Sequence, residues 1–172
     1  SQVSKLNALE SQLKGLETGR LTKFRTGMSA LSKGVGLEGL AELFATQKEV
    51  NLAEASKQIT NELALDLRNP DSGGGMPGAV SERDLIFLTE SIPGIANEPG
   101  AWRTMVDVKR KLLQRQIKVG KIINLGFKKQ WGPSRISDEV AKFAEKNPLF
   151  DSLSKKVGRP AIGGGNGGFT YL

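Results

Sequence analysis

An all-α fold, with about six helices around one long amphipathic basic helix, is what this 172-residue chain predicts, on three observations. Apolar residues recur at i, i+3 or i+4 spacing in one segment after another, which is the signature of a helix with one buried face. Clusters of Gly and Pro separate these segments, and capping residues stand where helices restart. One segment near the middle, the longest of all, divides cleanly into an apolar half and a basic half.

Val3, Leu6, Leu9, Leu13 and Leu16 form the first helical row, which ends at Gly15 to Gly19. A short leucine-rich helix of this kind is expected to dock on something. Leu21, Phe24, Met28, Leu31 and Val35 repeat the spacing across Gly27 and Gly34, and Leu37, Leu40, Leu43 and Phe44 make a third short face. Asn51 is placed to cap a fourth helix, with Glu54 returning the bond as in a capping box. Leu52, Ala55, Ile59, Leu63 and Leu67 line its inner side until Arg68-Asn69-Pro70, where proline removes a donor. Residues 69–80 hold four Gly and two Pro and are expected to form a loop. Ser81 restarts helix with Asp84 at the capping position; Leu85, Leu88 and Ile92 are its inner row, and Pro93-Gly94 its stop.

The long helix is expected over residues 98 to 128, with Pro99 in its first turn, where a missing donor costs nothing. Counted at 100° per residue from Trp102, the residues Met105, Val106, Leu112, Leu113, Ile117, Val119, Ile123 and Phe127 share one half of the wheel. Arg103, Arg110, Lys111, Arg115, Lys118 and Lys121 share the other, and Lys109 strays. Trp131-Gly132-Pro133 breaks this helix, and Ser137 opens a last short one carrying Val140, Phe143 and Ala144, ended by Asn147-Pro148. The domain boundaries follow: a helical domain over 1–156, with short N-terminal helices in 1–48 and the main helical part in 50–150, then a Gly-rich flexible tail over 157–172. The missing initiator Met fits either its removal before Ser1 or a segment of a longer polypeptide.

Composition argues against an enzyme. Without Cys there is neither a disulfide nor a thiolate zinc site, and without His the commonest general base and metal ligand are gone. Gly34-Val-Gly36-Leu-Glu-Gly39 has dinucleotide-fingerprint spacing but lacks the strand that must precede it, so a glycine-softened helix junction is expected there. Ser152-Leu-Ser-Lys155 has the spacing of a serine nucleophile and lysine base, yet that lysine, beside Lys156 and a glycine tail, is expected to be solvated. No Asp-x-Asp-x-Asp loop offers an oxygen-only metal site. No catalytic, cofactor or metal residue is therefore assigned. No stretch reaches the length of a membrane span and the start is no signal peptide, so a soluble chain made in a cytosol is expected.

Charge is concentrated. Residues 101 to 133 carry nine basic side chains against Asp107, a net of +8 in a chain whose total is +7. Arg103, Arg110, Lys111, Arg115, Lys118, Lys121, Lys128 and Lys129 are the candidates for contact with nucleic acid or an acidic surface. A solvated or internally paired face is the third possibility, and DNA contact would be to backbone, because Trp102, Phe127 and Trp131 stay near the apolar side. Two further segments are candidates for docking partner chains: the loop residues Gly73, Gly74, Gly75, Met76, Pro77 and Gly78, where backbone can lie close on a neighbour, and the tail's Phe169, Tyr171 and Leu172.

The strings Leu63-Ala-Leu-Asp-Leu-Arg-Asn-Pro70, Ser72-Gly-Gly-Gly-Met-Pro-Gly78, Ser81-Glu-Arg-Asp84, Phe87-Leu88 and Ile92-Pro-Gly94, with Asn147-Pro148-Leu149-Phe150, resemble a region of virion proteins of tailed bacteriophages and prophages. The resemblance covers roughly residues 55 to 150. It departs at 124 to 136, where Lys128-Lys129-Gln130-Trp131 stands in place of an acidic connector. It implies the carboxyl-terminal region of an internal or tail-associated polypeptide, some of which leave the capsid with the genome. Its partners would be portal, tail or internal core proteins in a homo-oligomeric ring or other multi-copy array, with DNA backbone as a further contact and no membrane in the assembled state. The expected place is the virion, after synthesis in the bacterial host's cytoplasm. The alternative from another class is a DNA-binding or packaging accessory protein using the basic helix face.

Overall fold

The computed structural model describes residues 1–16, 25–47, 50, 52–68, 78–98 and 100–156. All regular structure among them is helical. Leu21, Phe24, Asn51, Pro99, residues 69–77 and the tail 157–172 lie outside the described residues, and with them the start of the second row, the Asn51 cap, the Pro99 start and the expected flexible tail.

Helix α1 (Gln2–Leu16) packs on α2 (Arg25–Gly34) and on α7 (Ala101–Lys128). Leu6, Leu9 and Leu13 are each fully buried within the chain, which corrects the expectation that this leucine row docks on something outside it. Helix α2 turns directly into α3 (Glu38–Thr46). Gly36 sits there at φ +80°, a conformation L side chains rarely adopt, and the Leu37 N–H reaches back to the Ser32 carbonyl at 2.9 Å. The fingerprint-like glycines thus serve a helix–helix corner. The exposed N–H groups at the start of α3 have a carboxylate from elsewhere: Glu62 on α4 (Leu52–Arg68) accepts from Gly39 at 3.0 Å and Leu40 at 2.6 Å.

The segment after Ser81 departs from expectation. Helix α5 (Glu82–Ile86) widens into a π-helical turn (Phe87–Ser91) and continues as α6 (Ile92–Ile95), with Pro93 in its first turn, so Pro93-Gly94 does not stop the helix. The wide turn puts Pro93 where no intrahelical N–H is needed, and the Thr89 hydroxyl donates to the Leu85 and Ile86 carbonyls at 3.0 and 3.2 Å. The extra residue also rotates the inner row: Phe87, Leu88 and Ile92 are buried, while Leu85 is exposed.

Helix α7 starts at Ala101, capped by Gly100, and its 28 residues span about 42 Å. Its first half lies in the main core, where Trp102, Met105, Val106, Val108, Leu112 and Leu113 join side chains from α1 to α4, the π-helical turn and α6. Its second half leaves that core and pairs with α8 (Pro133–Lys146) around a smaller cluster of Ala79, Val119 and Val140. Helix α8 begins at Pro133 with Gly132 as its cap, four residues before the Ser137 start expected, because proline is pre-set for the first helical position. Asp151–Lys156 adds a short helix α9 that the sequence did not suggest.

Candidate docking surface

The basic half of α7 is not one solvated stripe. Arg110 bonds Glu10 and Asn7 on α1 and lies 3.3 Å from Asp107, while Lys111 lies 3.5 Å from the same Asp107. Burial pushes the Glu10 carboxyl up, but Lys14 and Arg110 outweigh it and hold the group below its ordinary value. The Arg103 guanidinium stacks 5.4 Å from the centroid of Trp102. Arg115, expected on the polar half, is only 2% exposed. Lys118, Lys121, Lys128 and Lys129 remain exposed, all beyond the main core.

Arg115 sits where the two cores meet, among groups that fix the base of the hairpin. Its guanidinium donates to the Asn147 carbonyl and stacks 4.9 Å from the centroid of Phe143, and its other two nitrogens have no partner among the described residues. Burial lowers the pKa of this group, and the charge of Asp84 opposes the shift. Asp84 is 1% exposed. Its carboxylate accepts from the Leu149 N–H at 2.8 Å, the Phe150 N–H at 3.0 Å and the Ser81 hydroxyl at 2.8 Å. The Ser81 oxygen in turn accepts from the Asp84 N–H at 3.2 Å, so the expected cap forms in part. Phe150 stacks on Phe87 with centroids 4.8 Å apart. Two strings far apart in sequence, Ser81 to Asp84 and Asn147 to Phe150, therefore form one buried joint.

The far end of the hairpin closes tightly. The Gln130 N–H bonds the Phe127 carbonyl at 3.1 Å and the Trp131 N–H bonds the Gly126 carbonyl at 2.9 Å, a Schellman ending with Gln130 at φ +55°. Gly126 is buried beneath α8: a Cβ there would stand 2.7 Å from Ile136 Cγ1 and 3.2 Å from the Trp131 ring. The absence of a side chain lets the helices cross closely enough for Ile136 and Trp131 to cover the turn.

Between them runs an open groove of about 350 Å³ lined by Ile123, Phe127, Trp131, Pro133, Ile136, Ser137 and Val140. Only Ser137 among these is polar. Phe127 is 67% exposed and Ile117 48%, so two residues expected to be core on the α7 wheel stand in solvent, as does Leu125 at 44%. Lys129 and Arg135 lie 5.6 and 4.5 Å from the centroid of Trp131, placing two cations at the groove's edge. From residue 116 to 137 there are five cations and no acid.

Sequence reasoning missed this groove because it started α8 at Ser137, which left out Ile136. The Gly132-Pro133 pair was the signal that would have added it. The loop candidate Gly78 has φ +81° and lies against α8, where an added Cβ would stand 3.3 Å from the Ala141 Cβ. Gly73, Gly74, Gly75, Met76 and Pro77, and the tail's Phe169, Tyr171 and Leu172, lie outside the described residues.

No group of His, Cys, Asp or Glu among the described residues could hold a metal ion, and no helix among them is long and apolar enough to cross a membrane. Comparison with protein-family models, curated proteins and solved structures gives no match.

Proposed function

We propose that this chain is a structural assembly protein that docks partner polypeptides on the α7–α8 hairpin, as a component of a tailed-phage virion. The exposed groove carries this role. A main core that buries the leucines of α1 shows that the sequence can satisfy apolar rows internally, yet Phe127, Ile123 and Trp131 are held at a second, outward-facing site. Full burial of a Phe or Ile is worth about 1.5–3 kcal/mol each, so two or three such anchors supply the gain a docked chain needs. The placement in a virion rests on the resemblance of residues 55 to 150, two of whose strings, Ser81 to Asp84 and Asn147 to Phe150, meet in the Asp84 joint.

The test is cross-linking mass spectrometry on virions purified from the phage or prophage that encodes the chain. Cross-links from Lys121, Lys128 and Lys129 to another polypeptide are expected; absence of the chain from purified particles overturns the virion role.

A second role, contact with DNA backbone, is favoured by the five unopposed cations between residues 116 and 137. It predicts duplex binding whose log K falls with log salt at a slope of about −4.5, since each neutralised phosphate contributes about −0.9. A flat salt response excludes it.

A further inference from the structure

The hairpin groove has features that select among possible occupants, and we infer that it takes an acidic amphipathic helix of a partner chain, apolar side chains inward and carboxylates against the groove's cationic edge. The inference rests on the docking role proposed above and specifies its partner. Three observations bear on it. The groove is concave and walled by two helices, the shape that receives one face of a third helix at i, i+3, i+4 and i+7. Lys129 and Arg135 stand against Trp131, one of the groove's walls, and the surrounding stretch from residue 116 to 137 has no acid of its own. Lys118, Lys121 and Lys128 have no ion pair within the described residues, so their charge is available to a partner.

Other occupants fit less well. DNA backbone would satisfy the cations, but offers no apolar face for Ile123, Phe127 and Val140. A lipid surface favours a convex apolar protrusion that enters the acyl boundary, whereas these side chains line a recess. A second copy meeting hairpin to hairpin would bring two cationic edges together, which an isologous contact cannot avoid.

The experiment uses the full chain and the emission of Trp131, with a Trp131→Phe control to subtract the buried Trp102. The probes are a helical peptide of about 15 residues with Leu at i, i+3, i+4 and i+7 and Glu elsewhere, the same peptide with Gln for every Glu, a duplex DNA, and vesicles of anionic phospholipid. The Glu peptide is expected to bind at least about tenfold more tightly than the Gln peptide at low salt, with the difference collapsing near 1 M salt, where the screening length falls to about 3 Å. Phe127→Ser is expected to weaken both peptides, and Lys129→Glu with Arg135→Glu to remove the preference for the Glu peptide. All three positions lie at the surface, and circular dichroism checks that the variants fold. Equal binding of the two peptides overturns the acidic class while leaving docking on the groove intact. Binding of vesicles or DNA with neither peptide bound overturns the inference in favour of that surface. If no probe shifts Trp131, the inference fails, whereas the docking role stands or falls separately on the cross-links within the particle.

Discussion

The buried charges of Asp84 and Arg115, which make no direct ion pair but act on each other through the protein interior, yield the most demanding prediction. Asp84→Asn keeps the shape of the side chain, and its remaining carbonyl oxygen can still accept from Leu149 and Phe150. What it removes is the negative charge, leaving the Arg115 guanidinium buried at 2% exposure without its counter-charge. Removing one member of a contacting buried pair costs about 3–5 kcal/mol, and these two groups are not in contact. The lost charge on the hydrogen bonds to Leu149 and Phe150, together with the weaker through-space term, places this case at about 2 kcal/mol. Arg115→Met should behave differently. It loses the bond to the Asn147 carbonyl but also removes two nitrogens that have no partner among the described residues, and Met can pack on Phe143. Asp84 keeps its backbone and Ser81 donors, so the cost should stay near 1 kcal/mol.

The double variant tests the coupling. Once Arg115 has been replaced, there is no buried cation for Asp84→Asn to strand, and its cost should fall to about 1 kcal/mol, a coupling of about 1 kcal/mol. Urea unfolding of the full chain, followed by far-ultraviolet circular dichroism, reads all four corners of the cycle. Coupling below about 0.5 kcal/mol, the scatter of independent sites, refutes the electrostatic coupling of the two buried groups. So does an Arg115→Met cost equal to that of Asp84→Asn.

Three further changes follow from the hairpin and from α1. Gln130→Gly should raise stability by about 0.5–1 kcal/mol, seen as a Tm higher by about 2 °C, because the residue at φ +55° carries a steric cost that glycine lacks. Gly126→Ala should lower stability by about 1–3 kcal/mol and shift Trp131 emission, since the new Cβ falls 2.7 Å from Ile136 Cγ1. Glu10→Gln should cost about 0.5–1 kcal/mol at pH 7 by breaking the contacts to Arg110 and Lys14. The folded state holds this carboxyl below its ordinary value, so the contribution is present at neutral pH and lost as pH falls through the folded-state value; wild type and variant should converge in acid-side urea titrations.

Much of the helical layout was legible because it depends on local pattern. The rows Leu6, Leu9, Leu13 and Ala55, Ile59, Leu63 are buried as their spacing implies. Interruptions were harder to read. Proline after a helical run stops it only if an N–H was required there, and a π-helical turn before Pro93 removes that requirement. The fate of the basic half was not legible at all. A wheel places Arg110, Lys111 and Arg115 together with Lys118 and Lys121, but whether each meets a carboxylate, a ring or water depends on α1, α5 and α8 arriving from distant sequence. The apolar half failed for the complementary reason: Ile117 and Phe127 share a face with Leu113, but the main core ends before they are reached.

That division of α7 has a consequence for how a docked partner would be felt. Beyond Leu113 the helix is held by a cluster of three buried apolar residues, by the Asp84 joint and by the Glu145 carboxylate, which accepts from the Glu82 N–H at 3.1 Å on α5. A small apolar cluster gives the hairpin little stability of its own, so local opening there should cost less than opening the main core. A partner seated on Ile123, Phe127 and Val140 adds apolar contact to the face of the cluster that now meets water, and binding to the closed form alone stabilises it by mass action. Hydrogen exchange of the α8 amides should therefore slow on docking while that of Met105 to Leu113 stays unchanged. Uniform slowing of both segments would mean that the hairpin and the main core open as one unit, and the view of the hairpin as a separately stabilised arm would have to be given up.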